Sequence, residues 1–246
     1  NEGIIGQTTT YDNSLNKNNG ILQGGLDQTG WVSGKYSYGL DYDGSNDYIL
    51  TDITKEGNYD FGVSSPFTIC AWVYENREST ATPGSKVIVA KRNPGSPYKG
   101  YCVWTTYPNN KIELTFILYE YDGTTHKQWN VYWRSAFPQN QWLFVSIVYD
   151  GIGLASYGSE TVAGKQGDAV RIFVNGKEIP ASEYGYYLTQ TVSDMLNNEP
   201  VKIGYSGVGV DYWKGKLDEV CIFNRALSSG EIYQLYLQGK NKYVLD

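Results

Sequence analysis

An all-β fold, a two-sheet antiparallel sandwich of jelly-roll type with one short C-terminal helix, is what this sequence predicts. Three observations predict it. Short runs rich in Val, Ile, Tyr and Trp recur along the chain, and such residues suit a pleated, half-buried surface. Gly, Asn, Asp and Pro separate the runs, with Asp43-Gly44, Asp122-Gly123, Asp150-Gly151 and Asn175-Gly176 at run ends, where a tight turn needs positive φ. Helical periodicity is confined to one place near the C-terminus. Many strands, Gly/Pro turns and a single helix describe a sandwich or jelly roll.

The expected strands, in order, are Tyr38–Tyr42, Tyr48–Thr51, Phe67–Tyr74, Val87–Lys91, Gly100–Thr105, Lys111–Tyr119, Trp129–Arg134, Trp142–Tyr149, Val170–Val174, Val201–Tyr205 and Glu219–Asn224. In Phe67–Tyr74, alternation puts Phe67, Ile69, Ala71 and Val73 on one face and Thr68, Cys70, Trp72 and Tyr74 on the other. Both faces carry large groups, so this strand should be central and covered on both sides. Lys111–Tyr119 sets Ile112, Leu114, Phe116 and Leu118 against Glu113, Thr115, Ile117 and Tyr119, a half-buried strand with an amphipathic outer face. Asn175-Gly176 behind Arg171–Val174 signals a tight hairpin. Ser228 and Glu231 form a capping box, Ile232, Leu235 and Tyr236 follow at helical spacing, and Gly239 is a stop. The stretch Gly151 to Gly167 reads as a long surface loop. With no linker or repeat in view, residues 1–246 read as one domain.

Composition narrows function. The chain has 246 residues, long enough for a sizeable core. Twenty basic against 26 acidic residues give a net charge of −6, with no Lys/Arg block. Affinity for phosphate backbones and anionic membranes needs clustered positive charge, so nucleic acid is an unsuitable partner. No apolar run of about 18 residues exists, so no membrane span is expected. The single His126 excludes a multi-His zinc site. Cys70, Cys102 and Cys221 sit in apolar runs, either as buried thiols or as one disulfide with one thiol left over. No Asn-x-Ser/Thr sequon occurs, so N-glycosylation is not expected. The chain begins at Asn1 with no signal segment, and reads as a processed or excised piece of a longer protein.

Several segments together resemble a known family. Tyr38-Gly-Leu-Asp-Tyr-Asp-Gly-Ser-Asn-Asp-Tyr-Ile49 resembles the "aLxFDGxxDYv" opening of laminin-G-like jelly-roll domains of the concanavalin A-like lectin/glucanase superfamily. Phe67–Val73 resembles its "fTisaWv" strand, Gln141–Gly151 its "WxhvaxvyDG", Val170–Lys177 its "lyvNGk", and Trp213–Ser228 its closing "fxGxiDEvxiyNraLs". Residues 2–34 are similar to its early Gly/Asn-rich stretch. The match runs from about residue 2 to 239, and its specificity lies in the order and spacing of the motifs. The resemblance implies a concanavalin A-like sandwich with one concave sheet and an extracellular, cell-surface or virion-surface location. It leaves function open, because this fold hosts lectins, enzymes, adhesion modules and structural domains.

One departure from the family concerns an edge. The strand that precedes the Glu-Gly stretch in the family has no counterpart ahead of Asn1-Glu2-Gly3, whereas the tail Lys242-Tyr-Val-Leu-Asp246 resembles it. The tail, within residues 240–246, could fold back, complete a neighbouring copy and so give self-association, or reflect a tandem array. An unfilled slot would leave a bare sheet edge.

Catalysis is not expected. The Glu-x-Asp-x-x-Glu strand of the superfamily's β-glucanases is absent, and alternation sends Asp218 and Glu219 to opposite faces. A structural calcium is implied by the resemblance, with Asp47 and Asp218 as the foremost side-chain ligands and Asp43 and Asn46 next, since Ca²⁺ takes six to eight oxygens. The alternative is that Asp43 and Asn46 shape the turn while Asp47 and Asp218 cap backbone N–H groups. Glu160 and Asp168 in the long loop could form a second site. Glycan binding is the leading specific function. Among many aromatics (Tyr98, Tyr101, Tyr107, Tyr132, Tyr184, Tyr186, Tyr187, Tyr205 and Tyr212 included), Tyr119, Tyr121, Trp129 and Trp133 stand out, because two aromatic strands meet there across a polar turn. Trp129 and Trp133 share one face, Asn130 and Tyr132 the other. The expected partner is a glycan or a surface protein. The alternative is a structural subunit or repeat of a filament or fibre, its aromatics buried in subunit contacts.

Overall fold

The computed structural model describes residues 6–76, 84–95, 98–108, 111–135, 137–152, 169–209 and 211–241. Its alternating runs form two antiparallel sheets packed face to face, as the sequence predicts. The nine-stranded sheet runs, edge to edge, β1 (Thr9–Thr10), β2 (Gly20–Gln23), β5 (Tyr48–Thr51), β15 (Lys202–Ile203), β7 (Lys86–Arg92), β8 (Gly100–Thr106), β9 (Glu113–Tyr121), β10 (His126–Trp133) and β14 (Tyr184–Leu188). The seven-stranded sheet runs β13 (Lys177–Glu178), β12 (Val170–Val174), β11 (Leu143–Tyr149), β6 (Phe67–Glu75), β16 (Lys214–Phe223), β4 (Tyr38–Asp43) and β3 (Trp31–Ser33). A short helix, α1 (Leu26–Thr29), precedes β3, and α2 (Ser229–Asn241) ends the described chain.

The turn chemistry acts where expected. Gly44, Gly123, Gly151 and Gly176 all have positive φ. Asn175 (φ 51°) and Gly176 (φ 74°) give the doubly positive turn that joins β12 to β13. The strand expected over Val201–Tyr205 is cut to Lys202–Ile203, because Gly204 adopts φ 89° and turns the chain out of the ladder. β1, β2, β3, β13 and β14 were not expected from the runs. Four of them have two to four residues, too few to show alternation, and β14 has Gly185 and three tyrosines where alternation would show.

β6 is central, between β11 and β16, and covered on both faces. Phe67, Ile69, Ala71 and Val73 enter the core between the sheets. Cys70 and Trp72 enter a second apolar cluster, closed by Phe144, Leu227 and Ile232 under α2. The reciprocal capping box forms: the Ser228 backbone N–H donates to Glu231 Oε2 at 2.9 Å, and the Glu231 N–H donates to Ser228 Oγ at 3.3 Å. α2 therefore lies on the outside of the seven-stranded sheet.

Candidate functional site

The outer face of the nine-stranded sheet carries a group of aromatics beside polar side chains. Register decides which residues meet. Across β8, β9 and β10, Trp104 is opposite Thr115 and Thr115 opposite Tyr132. One row on, Cys102, Ile117, Asn130 and Tyr187 line up across β8, β9, β10 and β14. In the next, Gly100, Tyr119 and Gln128 line up. Val87, Ala90, Cys102, Ile117 and Tyr119 form a small apolar floor, with Tyr98 and Trp104 packed on it. The outer face of β9 is thus more buried than its amphipathic pattern suggests, with Ile117 at 0% and Tyr119 at 8% exposure.

Arg92 organises this floor. Its guanidinium lies 4.7 Å from the Tyr98 ring centre, 5.0 Å from Tyr119 and 5.8 Å from Trp104, within cation–π range of all three. Nearby, Asp211 is held by Ser206. Burial raises the Asp211 carboxyl above the usual range, while Ser206 and the positive charge of Arg92 oppose the rise. Burial likewise pushes the Tyr119 hydroxyl far up. Arg92 Nε and Trp104 Nε1 are buried without an acceptor among the described residues.

Amides and further rings border the floor. Gln128 Nε2 donates to Asn130 Oδ1 at 2.9 Å, fixing two neighbouring amides on the outward side of β10. The Tyr132 ring lies over Gly185, where any Cβ would strike it. His126 leans on Tyr121, ring centres 4.9 Å apart and planes tilted by 37°. Tyr205 and Tyr212 stack at 4.0 Å with planes 7° apart, and Tyr48 leans on both. Rings of this kind accept the C–H faces of a sugar, and amides both donate to and accept from hydroxyls.

The expected aromatic quartet divides between faces. Tyr119 and Tyr121 belong to the outer platform. Trp129 and Trp133 share a face, but it is the core face: Trp129 is fully buried and Trp133 nearly so. Trp129 packs edge-on to Phe116 and Tyr149, and Trp133 Nε1 donates to Glu183 Oε2 at 2.9 Å. The correction is physical: indoles fill the sandwich, so the outward side of β10 is left to Gln128, Asn130 and Tyr132. Arg92, Trp104, Gln128 and Asp211 escaped the sequence reading. The parity of Trp104 with Cys102 was available; what was hidden was which strands lie side by side and the bulge between Val87 and Val89.

The four expected calcium ligands do not fit one ion. Asp43 is opposite Lys214, and Leu40 opposite Leu217, which puts Asp218 four residues along the ladder from Asp43, about 13 Å at 3.3 Å per residue. Calcium bonds are about 2.3–2.6 Å. Each carboxylate instead holds backbone. Asp47 accepts from Gly25 N at 2.7 Å and Asp43 N at 2.9 Å. Asp218 accepts from Lys35 N at 2.7 Å, Tyr36 N at 2.9 Å and Glu219 N at 2.8 Å. Asp43 accepts from Ser45 and Asn46, closing its own turn. Burial raises the Asp47 carboxyl, and the charges of Asp43 and Asp41 add to that. No group of three or more His, Cys, Asp or Glu among the described residues is placed to hold a metal. Glu160, Asp168 and the tail Lys242–Asp246 lie outside the described residues.

Comparison with known proteins agrees with the fold. The Laminin_G_3 model, described as concanavalin A-like lectin/glucanases superfamily, matches residues 43–233. No curated protein matches the chain in sequence. Among solved structures, the binding domain of Paraclostridial Mosquitocidal Protein 1 is similar at TM-score 0.65 and 18% identity, over 94% of this chain and 50% of that one. The receptor binding domain of botulinum neurotoxin C/D mosaic serotype gives 0.56 and 14%, over 92% and 48%. Domain 4 of AbnA, a GH43 extracellular arabinanase from Geobacillus stearothermophilus in complex with arabinotriose, gives 0.50 and 17%, over 88% and 87%. The chain thus spans about half the length of the two toxin domains. Since the family model covers well over half of the residues, and both its jelly-roll sheets are present, the chain belongs to the Laminin_G_3 family of the concanavalin A-like lectin/glucanases superfamily.

Proposed function

We propose that this chain is a non-catalytic carbohydrate-binding module of a larger extracellular or surface protein, and that it binds glycan on the outer face of the nine-stranded sheet. The observation that carries the reading is the row arrangement there: the Gln128–Asn130 amide pair lies among Tyr119, Tyr132, Tyr187 and Trp104. A sugar needs an apolar platform for its C–H face and short polar arms for its hydroxyls, and a sheet face supplies both without motion. Arg92 stiffens the platform from beneath. The likeness to toxin binding domains and to an arabinanase domain in complex with arabinotriose supports a binding role.

The test is a glycan array with the purified chain, arabino-oligosaccharides included, run in calcium and again in EDTA. Saturable binding to one glycan class, weakened by substitution of Asn130 or Tyr187, is the expected result. Background signal with folded protein overturns the reading and favours a structural subunit of a surface filament or fibre. Because the four carboxamide and carboxylate side chains expected to bind calcium hold backbone or lie apart, EDTA should leave binding unchanged.

A further inference from the structure

The outer face of the nine-stranded sheet carries a second group of rings, and register puts it in line with the first. Leu50, Lys202, Ala90, Cys102, Ile117 and Asn130 stand opposite one another in turn across β5, β15, β7, β8, β9 and β10. Residues two apart along a strand share a face. The next outward row therefore holds Tyr48 on β5, Val87 on β7, Trp104 on β8, Thr115 on β9 and Tyr132 on β10. Ile49, between Tyr48 and Leu50, enters the core, so Tyr48 points outward.

β15 ends where this row crosses it. Gly204 turns at φ 89°, its N–H donating to Ile88 O at 3.0 Å, and the Trp213 N–H donates back to Gly204 O at 2.7 Å. Trp213 is fully buried and anchors the returning arm. Tyr205 and Tyr212, the next residues on the two arms, are thereby set side by side. Their rings stack at 4.0 Å with planes 7° apart, and Tyr48 leans on them at 5.5 and 6.4 Å. All three are half-buried, so each keeps part of its surface in solvent. Rings already held by one another lose little freedom when a ligand lands on them.

From β5 to β10 there are five strand steps, about 24 Å at 4.8 Å each. One sugar ring cannot reach from Tyr48 to the Gln128–Asn130 amides, whereas an oligosaccharide lying across the strands can. Charge narrows the class further. The row itself is made of rings, a hydroxyl and an aliphatic side chain. The charged residues nearest to it in register are matched: Lys202 pairs with Glu199 at 3.3 Å, and Glu113, two residues beyond Thr115 on β9, feels Lys111 and Arg134. Arg92 is only 4% exposed. A polyanion gains nothing from such a surface, since it needs unmatched positive charge.

We propose that the outer face binds a linear, neutral polysaccharide along its length, with Tyr48, Tyr205 and Tyr212 as a second subsite in line with the Asn130 platform. The proposal rests on the glycan reading above and adds the length and charge of the ligand. One ligand that joins two weak subsites binds far more tightly than at either alone, because its second contact is intramolecular.

Isothermal titration of the full chain tests it. The probes are arabinan, xylan, mannan and β-glucan, each as disaccharide, hexasaccharide and polymer, with polygalacturonate as the acidic polymer. In one neutral series the hexasaccharide should bind about a hundredfold more tightly than the disaccharide. Tyr48→Ala and Tyr205→Ala should each remove most of that gain, whereas Asn130→Ala should weaken both lengths. A hexasaccharide that binds no more tightly than the disaccharide overturns the inference and leaves the glycan reading standing. So does wild-type affinity for the hexasaccharide in both tyrosine variants, or a preference for polygalacturonate. Absence of binding by every probe, with folded protein, overturns the inference and the glycan reading together. Should the tyrosine variants fail to fold, the ring-proton resonances of Tyr48, Tyr205 and Tyr212 decide the matter in the unaltered protein. They should shift with the hexasaccharide, and resonances that stay fixed at saturation overturn the inference.

Discussion

The guanidinium of Arg92 sits 5.0 Å from the centre of the Tyr119 ring, inside the sheet surface that the proposed glycan would cover. Arg92 is only 4% exposed, so its charge is shielded by rings more than by water. Cation–π contacts desolvated in this way contribute about 2 kcal/mol. Arg92→Gln should lower stability by about that amount and loosen Tyr98, Tyr119 and Trp104 together. Thermal melting reads the first effect, and glycan titration the second, as a severalfold loss of affinity. Wild-type affinity in the variant would show that the platform does not depend on Arg92.

Alternation along β10 separates fold from function within five residues. Trp129→Ala empties a fully buried site and should cost about 3–5 kcal/mol. Asn130→Ala, on the outward face, should leave the urea midpoint nearly unchanged and weaken glycan binding about five- to tenfold, the worth of one hydrogen bond. A large stability loss in the Asn130 variant would mean that the outward face is structural.

How much of this was legible before the fold was known follows from the same strand. The pairing of Trp129 with Trp133, and of Asn130 with Tyr132, is plain from period-two alternation. The side that faces the core is not, because Asn130–Tyr132 and Trp129–Trp133 are both amphipathic enough for either role. Only the neighbours settle it: Phe116 and Tyr149 receive Trp129 from the interior. Long strands such as β6 and β11 were readable because their apolar content is continuous. Arg92 was hidden for the opposite reason, as the second of two charged residues after an apolar run reads as lying past a strand end until Tyr98, Trp104 and Tyr119 are seen around it.

Asp218 ties the β3–β4 connection to β16 through the backbone N–H groups of Lys35 and Tyr36. Removing the acceptor leaves these donors poorly satisfied. Asp218→Ala should therefore cost about 3 kcal/mol, at the upper range of a charge-assisted hydrogen bond, whereas Asp218→Asn keeps an acceptor and should cost less. The loss should be the same in calcium and in EDTA. A melting temperature that falls in EDTA for the wild type, but not for Asp218→Ala, would reinstate a cation at this carboxylate.

Cys70 and Cys221 stand opposite one another on β6 and β16, while Cys102 is in the other sheet. Burial pushes the Cys70 and Cys221 thiols up to about 12, and that of Cys102 further. The thiolate is the reactive form, so native protein at pH 8 should resist alkylation at all three positions, and unfolded protein should react at all three. Under forced oxidation the geometry admits a Cys70–Cys221 bridge alone. Peptide mapping without reductant checks this, and any bridge to Cys102 would contradict the sheet assignment.

The cap of α2 sets a pH dependence whose sign can be worked out. Glu231 is drawn down from 4.5 to about 2, first by Arg225, 2.7 Å away, and then by the Ser228 backbone N–H and hydroxyl. A carboxyl whose folded value is depressed stabilises the fold above its unfolded value and loses that contribution as pH falls through the folded one. The support given by Glu231 is thus complete above about pH 4.5 and lost toward pH 2. The pair is solvent-exposed, so the effect should be modest and should shrink in high salt. Ser228→Ala removes the other half of the box and should cost about 1 kcal/mol. In urea titrations, Glu231→Gln should differ from wild type at pH 7 and converge with it near pH 2. Asp122, also held low by its own turn, is untouched by that substitution, so its titration cancels in the comparison. A difference that persists unchanged to pH 2 would mean that Glu231 acts through packing and not through its charge.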